Sequence, residues 1–491
     1  MATAIPPNRA SFTVDEIARA TGGRVVCSGE PSVGVCTDSR AIRDGAAFVA
    51  LTGDKFDGHA FLASAVALGA RTLVVSKDDV GPWAGGAQPA VVRVDDTRRA
   101  LGALSHAHRA RWGGAAPPRI VVAITGSAGK TTTKSVLARV LDAMAPGTVH
   151  ATVGNLNNDI GVPMTLLGLD EAHHYAVVEV GTNARGEIAS LAGITMPDAG
   201  VLTLVAAAHT AGLGSIEEVA VEKGALLAAL PSGGLAVANA DDARAVAQLA
   251  RSSANTTFTF GFAEKSDYRV AIVESRGARG SRLSIVRRSG TLEVDSPLLG
   301  EAGALAIAAS LAVAEWAIGR AASVEEVQAA LSPLAEEDDG RLSLLPLADG
   351  TLVIDDSYNA NPASMGASLR AACDVAKREN RRLVVVLGEM RELGAMSTAE
   401  HEKLGQIVAR AIVAEVISVG GEAERVTREA ARAGKTAWFA LDAEQAIGTV
   451  LSRVLPGDVV LVKGSRGVAT EKIVRALVEA RGRVPRGGGA A

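Results

Sequence analysis

Ile120-Val-Val-Ala-Ile-Thr-Gly-Ser-Ala-Gly-Lys-Thr-Thr-Thr133 is a run of β-branched and small apolar residues, then a glycine-bounded turn, then a lysine and three threonines. The order predicts a buried strand, a tight loop and the start of a helix. Glycines let backbone N–H groups approach a polyphosphate, and the helix N-terminus adds partial positive charge. Lys130 can reach the outer phosphates and the Thr131 hydroxyl can ligate Mg²⁺. Thr125, Gly126, Ser127, Ala128, Gly129, Lys130, Thr131 and Thr132 are therefore the expected ATP-binding segment. The longer GxxxxGK[ST] spacing is not met, because Ile124 stands five residues before Gly129. Taken alone the loop says nucleotide-dependent, and leaves motors, kinases, GTPases and ligases open.

Outward from the loop, Val136, Leu137, Val140, Leu141 and Met144 fall on one stripe of the following helix. Continuous apolar runs recur at Tyr175–Val180, Val201–Val205, Leu383–Gly388, Val416–Val419 and Val459–Lys463. Strands buried on both faces read this way, so the fold class is α/β with parallel sheets. Two joints divide the chain. The Gly- and Pro-rich Arg111–Arg119 ends a first domain at residues 1–114, and the acidic connector Leu331–Gly340 separates a second domain, 115–334, from a third, 335–491. From about Arg481 the chain loses periodicity and is expected to be a disordered tail.

The chain has 491 residues, 48% hydrophobic and 21% charged, enough for several buried cores. A formal net charge of −4 offers no global positive field for a nucleic acid, so none is expected as a partner. The N-terminus lacks a basic patch followed by an apolar run, which points to the cytoplasm. Gly303–Gly319 is too short and carries Glu315, so a buried helix is expected and no membrane span. Cys27, Cys36 and Cys373 form no CxxC pair and read as structural thiols.

Gly126-x-x-Gly129-Lys130-Thr131-Thr132 and Gly154-Asn155-Leu-Asn157-Asn158-Asp-Ile160-Gly161-Val162-Pro163 resemble the ATP loop and the loop after it in the Mur ligase family. Asp355-Asp356-Ser357-Tyr358-Asn359-Ala360-Asn361-Pro362 and Val386-Leu387-Gly388-Glu389-Met390-x-Glu392-Leu393-Gly394 are similar to the third-domain motifs of its dipeptide-adding branch. Asp38-Ser39-Arg40 and Gly53-Asp54-Lys55-Phe56-Asp57-Gly58-His59 resemble its uridine-site pattern, so the likeness spans nearly the whole chain.

The resemblance implies three domains: a small α/β UDP-substrate domain, a central phosphate-loop ATP domain and a Rossmann-like C-terminal domain. It implies ATP-dependent joining of D-alanyl-D-alanine to UDP-N-acetylmuramoyl-tripeptide through an acyl phosphate, by a monomer. Lys130, Glu179, His209 and Lys223 are implied as the catalytic set, with Thr131, Glu179, His209 and Lys223 holding one or two Mg²⁺, and Lys223 as a site for a carbamate. Arg341 is implied on the nucleotide side. Ser39, Arg40 and His59 are implied at the uridine-diphosphate end, Asn155, Asn157 and Asn158 at the peptide and phosphates, and Asp356, Tyr358, Asn359 and Asn361 near the dipeptide.

Glu179 closes an apolar strand, where ligands of open parallel sheets bind. Ala225 stands where the family has an acidic residue two positions beyond the lysine. Gly300-Glu301-Ala302-Gly303-Ala304-Leu305-Ala306 replaces the family's Gly-x-His-Asn-x-x-Asn, removing the side chains that help relatives hold adenine, so weakened base discrimination is expected. The other readings are a neighbouring amide ligase, such as the diaminopimelate-adding Mur enzyme or a folylpolyglutamate synthase, or a non-catalytic nucleotide-binding relative.

Overall fold

A computed structural model describes residues 3–53, 56–78, 81, 88–336 and 340–484. Asp54 and Lys55 of the uridine-type pattern lie outside the described residues. The N-terminal domain is built on a five-stranded mixed sheet. Its long helix Thr97–Gly113, capped by Asp96 through the N–H groups of Arg98 and Arg99, packs against the central domain. That helix absorbs Arg111 and Trp112, which the sequence placed in a linker. Trp112 is buried, and its indole N–H donates to the Asp170 carbonyl. A chain break here would have exposed a large apolar ring, so helix wins over the flanking glycines.

The central domain carries a nine-stranded sheet. Ile120–Thr125 lies between Tyr175–Glu179 and Ala199–Leu202, parallel to both. The chain leaves Ile120–Thr125 for one side of the sheet, then returns to build the other, so the carboxyl ends of these three strands meet at a topological switch point. The expected stripe of the phosphate-loop helix, Lys130–Met144, is fully in the core. The sheet is not parallel throughout: Tyr268–Ser275, Ser281–Arg287 and Gly290–Ser296 form an antiparallel meander. Its half-buried alternation, Leu283, Ile285, Leu292 and Val294 inward, has period 2 and forms no continuous apolar run.

Helix Gly300–Ile318 is long and apolar enough by length and composition to cross a membrane, yet Ala306–Ala314 are buried in the central core. Small side chains let it pack closely on the phosphate-loop helix.

The C-terminal domain is a six-stranded sheet, parallel apart from the edge strand Ser343–Pro346. Leu352–Asp356, Val459–Lys463 and Leu383–Gly388 are its centre, each buried along its length. The chain does not lose order at Arg481. Helix Glu471–Arg481 ends there on bonds from Arg481 to Asp349 and to the Val454 carbonyl, and Leu347 bridges Arg483. Residues beyond 484 lie outside the described ones. The three cysteines are free thiols.

Candidate active site

Strand ends from two sheets converge on a cleft of about 1610 Å³ between the central and C-terminal domains, which extends to Asp96, Arg98, Arg99 and Gly102 of the N-terminal domain. The phosphate loop forms its floor. Gly129 has φ +85° and Gly126 φ +153°, where a Cβ on Gly126 would meet the Thr203 hydroxyl at 1.9 Å. Only glycine closes the turn that tightly against the neighbouring strand. Ser127 through Thr132 line the cleft. Thr125 and Gly126 do not; Thr125 is buried in the strand, with its hydroxyl unpartnered. Lys130 folds back to donate to the Gly126 carbonyl at 2.8 Å. Burial pushes its ammonium below the usual lysine range, Glu179 works against that shift, and nearby Arg341 adds to it.

Glu179 is the last residue of its strand and only 1% exposed. One carboxylate oxygen accepts from Thr131 Oγ1 at 2.6 Å, the other from Asn157 Nδ2 at 2.7 Å. Its two oxygens meet neutral donors with the Lys130 charge nearby, and a buried carboxylate so placed is a ready partner for a divalent ion. Among the described residues no three His, Cys, Asp or Glu side chains form a closed metal site. That suits Mg²⁺, which keeps waters and is usually bound by one or two protein oxygens together with substrate phosphates. The hard oxygens of Thr131 and Glu179 fit it.

His209 lies on the rim of the same cleft, before the short helix Thr210–Leu213, with φ +57°. Its Nδ1 is 2.5 Å from a carboxylate oxygen of Glu392 in the C-terminal domain. The oxygen lies off a well-aligned N–H direction, so the contact is an ion-pair approach and Nδ1 has no regular hydrogen-bond acceptor. The imidazole holds the Glu392 carboxyl below the usual range.

Lys223, on helix Ile216–Ala228, is set behind the cleft wall and does not line it. It is 1% exposed, and burial, with Lys130 adding repulsion, lowers its pKa to about 7. Its neighbour Glu222 is occupied elsewhere, accepting from the Gly186 and Ile188 N–H groups.

Asn155, Asn157 and Asn158 all line the cleft, with separate duties. Asn155 accepts from Thr3 Oγ1, Asn157 holds Glu179, and Asn158 accepts from the Gly161 N–H at the start of helix Gly161–Leu167.

Across the cleft, Asp356 is already engaged by Lys463 Nζ at 2.6 Å and by Ser368 Oγ. Lys463 also donates to the Asn359 carbonyl. Asp356 is thus tied into a buried ion pair that shapes the loop after its strand. Tyr358 carries Arg341 over its ring at 4.0 Å and Arg466 at 5.2 Å, so two cations are stacked on one aromatic face system. The Asn359 side chain accepts from the Ala360 N–H. Asn361 caps helix Pro362–Arg378 through its oxygen, while its Nδ2 donates to the Ser127 carbonyl of the phosphate loop at 2.8 Å.

The three N-terminal residues are not part of this cleft. Arg40 is 87% exposed, its guanidinium paired with Asp38 beside Ser39. His59 is buried and spent: Nδ1 meets Asp57, and Nε2 accepts from the Ser76 N–H. It shapes a loop and has no free nitrogen for a ligand. Lys463 and Arg466, at the carboxyl end of the apolar run Val459–Lys463, and Glu392, in the loop after Leu383–Gly388, also line the cleft. The signal for them was position, since each follows an apolar strand of the third domain.

Ala302 and Ala306 line the cleft where the family's polar side chains are absent, joined by Leu305. Gly303 does not, and a Cβ there would lie 2.4 Å from the Leu298 Cβ. An asparagine cannot be restored at 303 without displacing Leu298.

The chain matches three family models: the Mur ligase family catalytic domain over residues 32–109, the Mur ligase middle domain over 124–314, and the Mur ligase glutamate ligase domain over 340–466. It is 35% identical over 465 residues to the UDP-N-acetylmuramoyl-tripeptide--D-alanyl-D-alanine ligase of Escherichia coli K12, covering 91% of this chain and 93% of the relative. The chain belongs to the Mur ligase family. Among solved Mur ligases, MurF from Acinetobacter baumannii superposes with a TM-score of 0.82 at 30% identity, over 97% of this chain and all of that one (100%). MurF from Thermotoga maritima in complex with ADP gives 0.76 at 27% identity, over 91% and 97%. The three-domain α/β architecture expected from the sequence is that of these Mur ligases.

Proposed function

We propose that this chain joins D-alanyl-D-alanine to UDP-N-acetylmuramoyl-tripeptide at the expense of ATP, in the cytoplasm, as a step of peptidoglycan precursor synthesis. The observation that carries the reading is the close, near full-length relation to the E. coli ligase of that name. The cleft supports it, because the third-domain run Asp356–Asn361 touches the phosphate loop there.

The chemistry has two transfers. A carboxylate oxygen of the tripeptide attacks the γ-phosphorus, the bond to the β,γ-bridging oxygen breaks, and ADP departs with that electron pair. The dipeptide amine then attacks the acyl carbon of the acyl phosphate. The C–O bond breaks, phosphate leaves, and the amine nitrogen loses its proton. Both steps crowd negative charge, so fixed cations and aligned substrates supply most of the acceleration. Lys130 leaves the Gly126 carbonyl for the outer phosphates, with Arg341 presented beside it by the Tyr358 ring. Mg²⁺, held by Thr131 and Glu179, would neutralise phosphate charge.

Asn157 orients the Glu179 carboxylate, and Asn155 and Asn158 shape the loop that meets the acceptor peptide. Ser39 and Arg40 serve the uridine-diphosphate end as a monomer's outer subsite. With its pKa lowered to about 7, Lys223 has a substantial unprotonated fraction near neutral pH, the form that attacks CO₂. The amine nitrogen bonds the carbon, one C=O π pair moves to oxygen, and a proton is released. The resulting anion would replace an ammonium–ammonium repulsion towards Lys130 with an attraction and offer oxygen ligands to a second Mg²⁺.

The test is phosphate release with each co-substrate omitted in turn, and the mass of the product. Turnover should need both UDP-muramoyl tripeptide and D-alanyl-D-alanine and give UDP-muramoyl pentapeptide. Equal phosphate release without the dipeptide would mean a plain ATPase.

A further inference from the structure

We propose that Arg391, in the loop after strand Leu383–Gly388, is the anchor for the carboxylate of the incoming D-alanyl-D-alanine. Arg391 lines the cleft with its side chain 51% exposed. Its Nε donates to Glu389 at 3.3 Å, while neither Nη nitrogen has an acceptor among the described residues. A guanidinium steadied at Nε and open at its fork offers two parallel donors, the geometry that matches a carboxylate.

The position is built by three loops of the C-terminal domain. The Arg391 N–H donates to Ser465 Oγ at 2.9 Å, the Ser465 N–H donates to the Glu389 carbonyl at 3.2 Å, and Ser465 Oγ donates to the Ala360 carbonyl at 3.3 Å. One buried serine thus ties together the loops that follow Leu352–Asp356, Leu383–Gly388 and Val459–Lys463. The guanidinium lies over bare backbone at Gly467, where a Cβ would stand 2.3 Å from Arg391 Nη1 and 3.1 Å from its Cζ.

The order of charges across the sheet selects the occupant. The strands run Ser343–Pro346, Leu352–Asp356, Val459–Lys463, Leu383–Gly388. Arg341 precedes the first, Tyr358 follows the second, Arg466 the third and Arg391 the fourth. Arg341 and Arg466 share the Tyr358 ring. Arg391 stands apart, its strand three spacings, about 14 Å, from that of Arg341. With Lys130 and Arg341 on the nucleotide phosphates, the far cation is left for another anion, and the only anionic group of the dipeptide is its carboxylate. Two residues span at most about 7 Å, and Glu392, next to Arg391, reaches His209 of the central domain, so an amine tethered here stays at the domain seam.

The inference rests on the ligase reaction proposed above and is tested with the full-length protein, saturating ATP and UDP-muramoyl tripeptide. D-alanyl-D-alanine is titrated against its C-terminal carboxamide, which keeps the amine and the shape and removes the charge. Loss of a charged hydrogen-bond pair should raise the wild-type KM for the amide about tenfold to a hundredfold over that for the acid. Arg391→Ala should raise KM for the acid by a similar factor and leave KM for the amide, ATP and the tripeptide unchanged. Arg391→Lys, which keeps the charge without the fork, should fall between. Gly467→Ala should push the flexible guanidinium aside and act in the same direction as Arg391→Ala, and a melting curve for each variant checks that it folds. Equal wild-type KM values for acid and amide, an equal rise for both in Arg391→Ala, or a rise in KM for ATP overturns the assignment while turnover persists. A wild type that makes no pentapeptide overturns the proposed function itself, and this inference with it.

Discussion

The central domain meets its two neighbours in different ways. Against the N-terminal domain the seam is packed shut except at the start of helix Thr97–Gly113, which borders the cleft. Arg109 reaches across to the Thr195 and Met196 carbonyls and to Asp198, which also accepts from the Val121 N–H. Trp112 is buried in the central core, and Met164 and Leu167 of the central domain are buried in the N-terminal one. Against the C-terminal domain the seam holds the open cleft, with polar contacts such as Asn361 to Ser127 and Thr210 to the Leu393 carbonyl at its edges. The first seam is a foundation and the second a working surface. Substitutions at the first should therefore register in stability, and those at the second in turnover.

Lys130→Ala tests the working surface most severely. It removes the cation facing the outer phosphates while taking no apolar contact from a core. Loss of one such stabiliser costs on the order of 3 kcal/mol in the barrier, roughly a hundredfold or more in rate. Phosphate release should collapse with no loss of melting temperature; a variant keeping a third of the wild-type rate would rule out the role.

Lys223 sharpens the comparison, because a buried ammonium affects both readouts. Its folded pKa of about 7 lies below the ordinary 10.5, so above about 7 the unfolded chain binds the extra proton. Stability of the unmodified protein should rise as pH climbs from about 7 towards 10.5, and the penalty should stand in full below 7. Lys223→Met should flatten this limb in denaturant titrations. Lys223→Ala should lose about a hundredfold in kcat and recover part of it with a short carboxylic acid in the buffer. Recovery with added amines instead would show the lysine working as a cation.

Arg109→Ala tests the foundation. Burial lowers the Arg109 pKa and raises that of Asp198, so desolvation outweighs the pair's own attraction. Removing one partner still leaves the other uncompensated. The loss should be roughly 2 kcal/mol, below the ~3–5 typical of fully buried pairs, because Asp198 keeps 35% exposure. Urea denaturation should show it with kcat unchanged. Asn361→Asp is the mirror experiment: it keeps the helix cap and loses the donor to the Ser127 carbonyl, so KM or kcat should change several-fold with stability within about 1 kcal/mol.

The smallest effect concerns the base. Each neutral hydrogen bond lost where Ala302 and Ala306 line the cleft is worth roughly 0.5–1.5 kcal/mol, about threefold to tenfold in affinity. Titration of ATP and GTP should give measurable turnover with both, and Ala302→His alone should tighten ATP. Tight ATP use with no GTP activity would mean that other side chains hold the base.

The sequence by itself determined the phosphate loop, the buried stripe of its helix, the central strands and the α/β class. These are local: glycine spacing, apolar runs and helical period act within one element, and burial on both faces enforces them. It also placed Glu179 and Asn361 after strands whose ends face one cleft, while the three asparagines were implied there by the family resemblance. Tertiary structure decided what local pattern cannot carry. His59 and Asp356 look like free ligands in sequence, yet one has both nitrogens occupied and the other a buried lysine 107 residues away. The Lys223 pKa arises from burial and from Lys130 on another helix. The pairing of His209 with Glu392 joins two domains, and no spacing rule relates them. Electrostatics and hydrogen bonding depend on distance in space, which only the closed chain supplies.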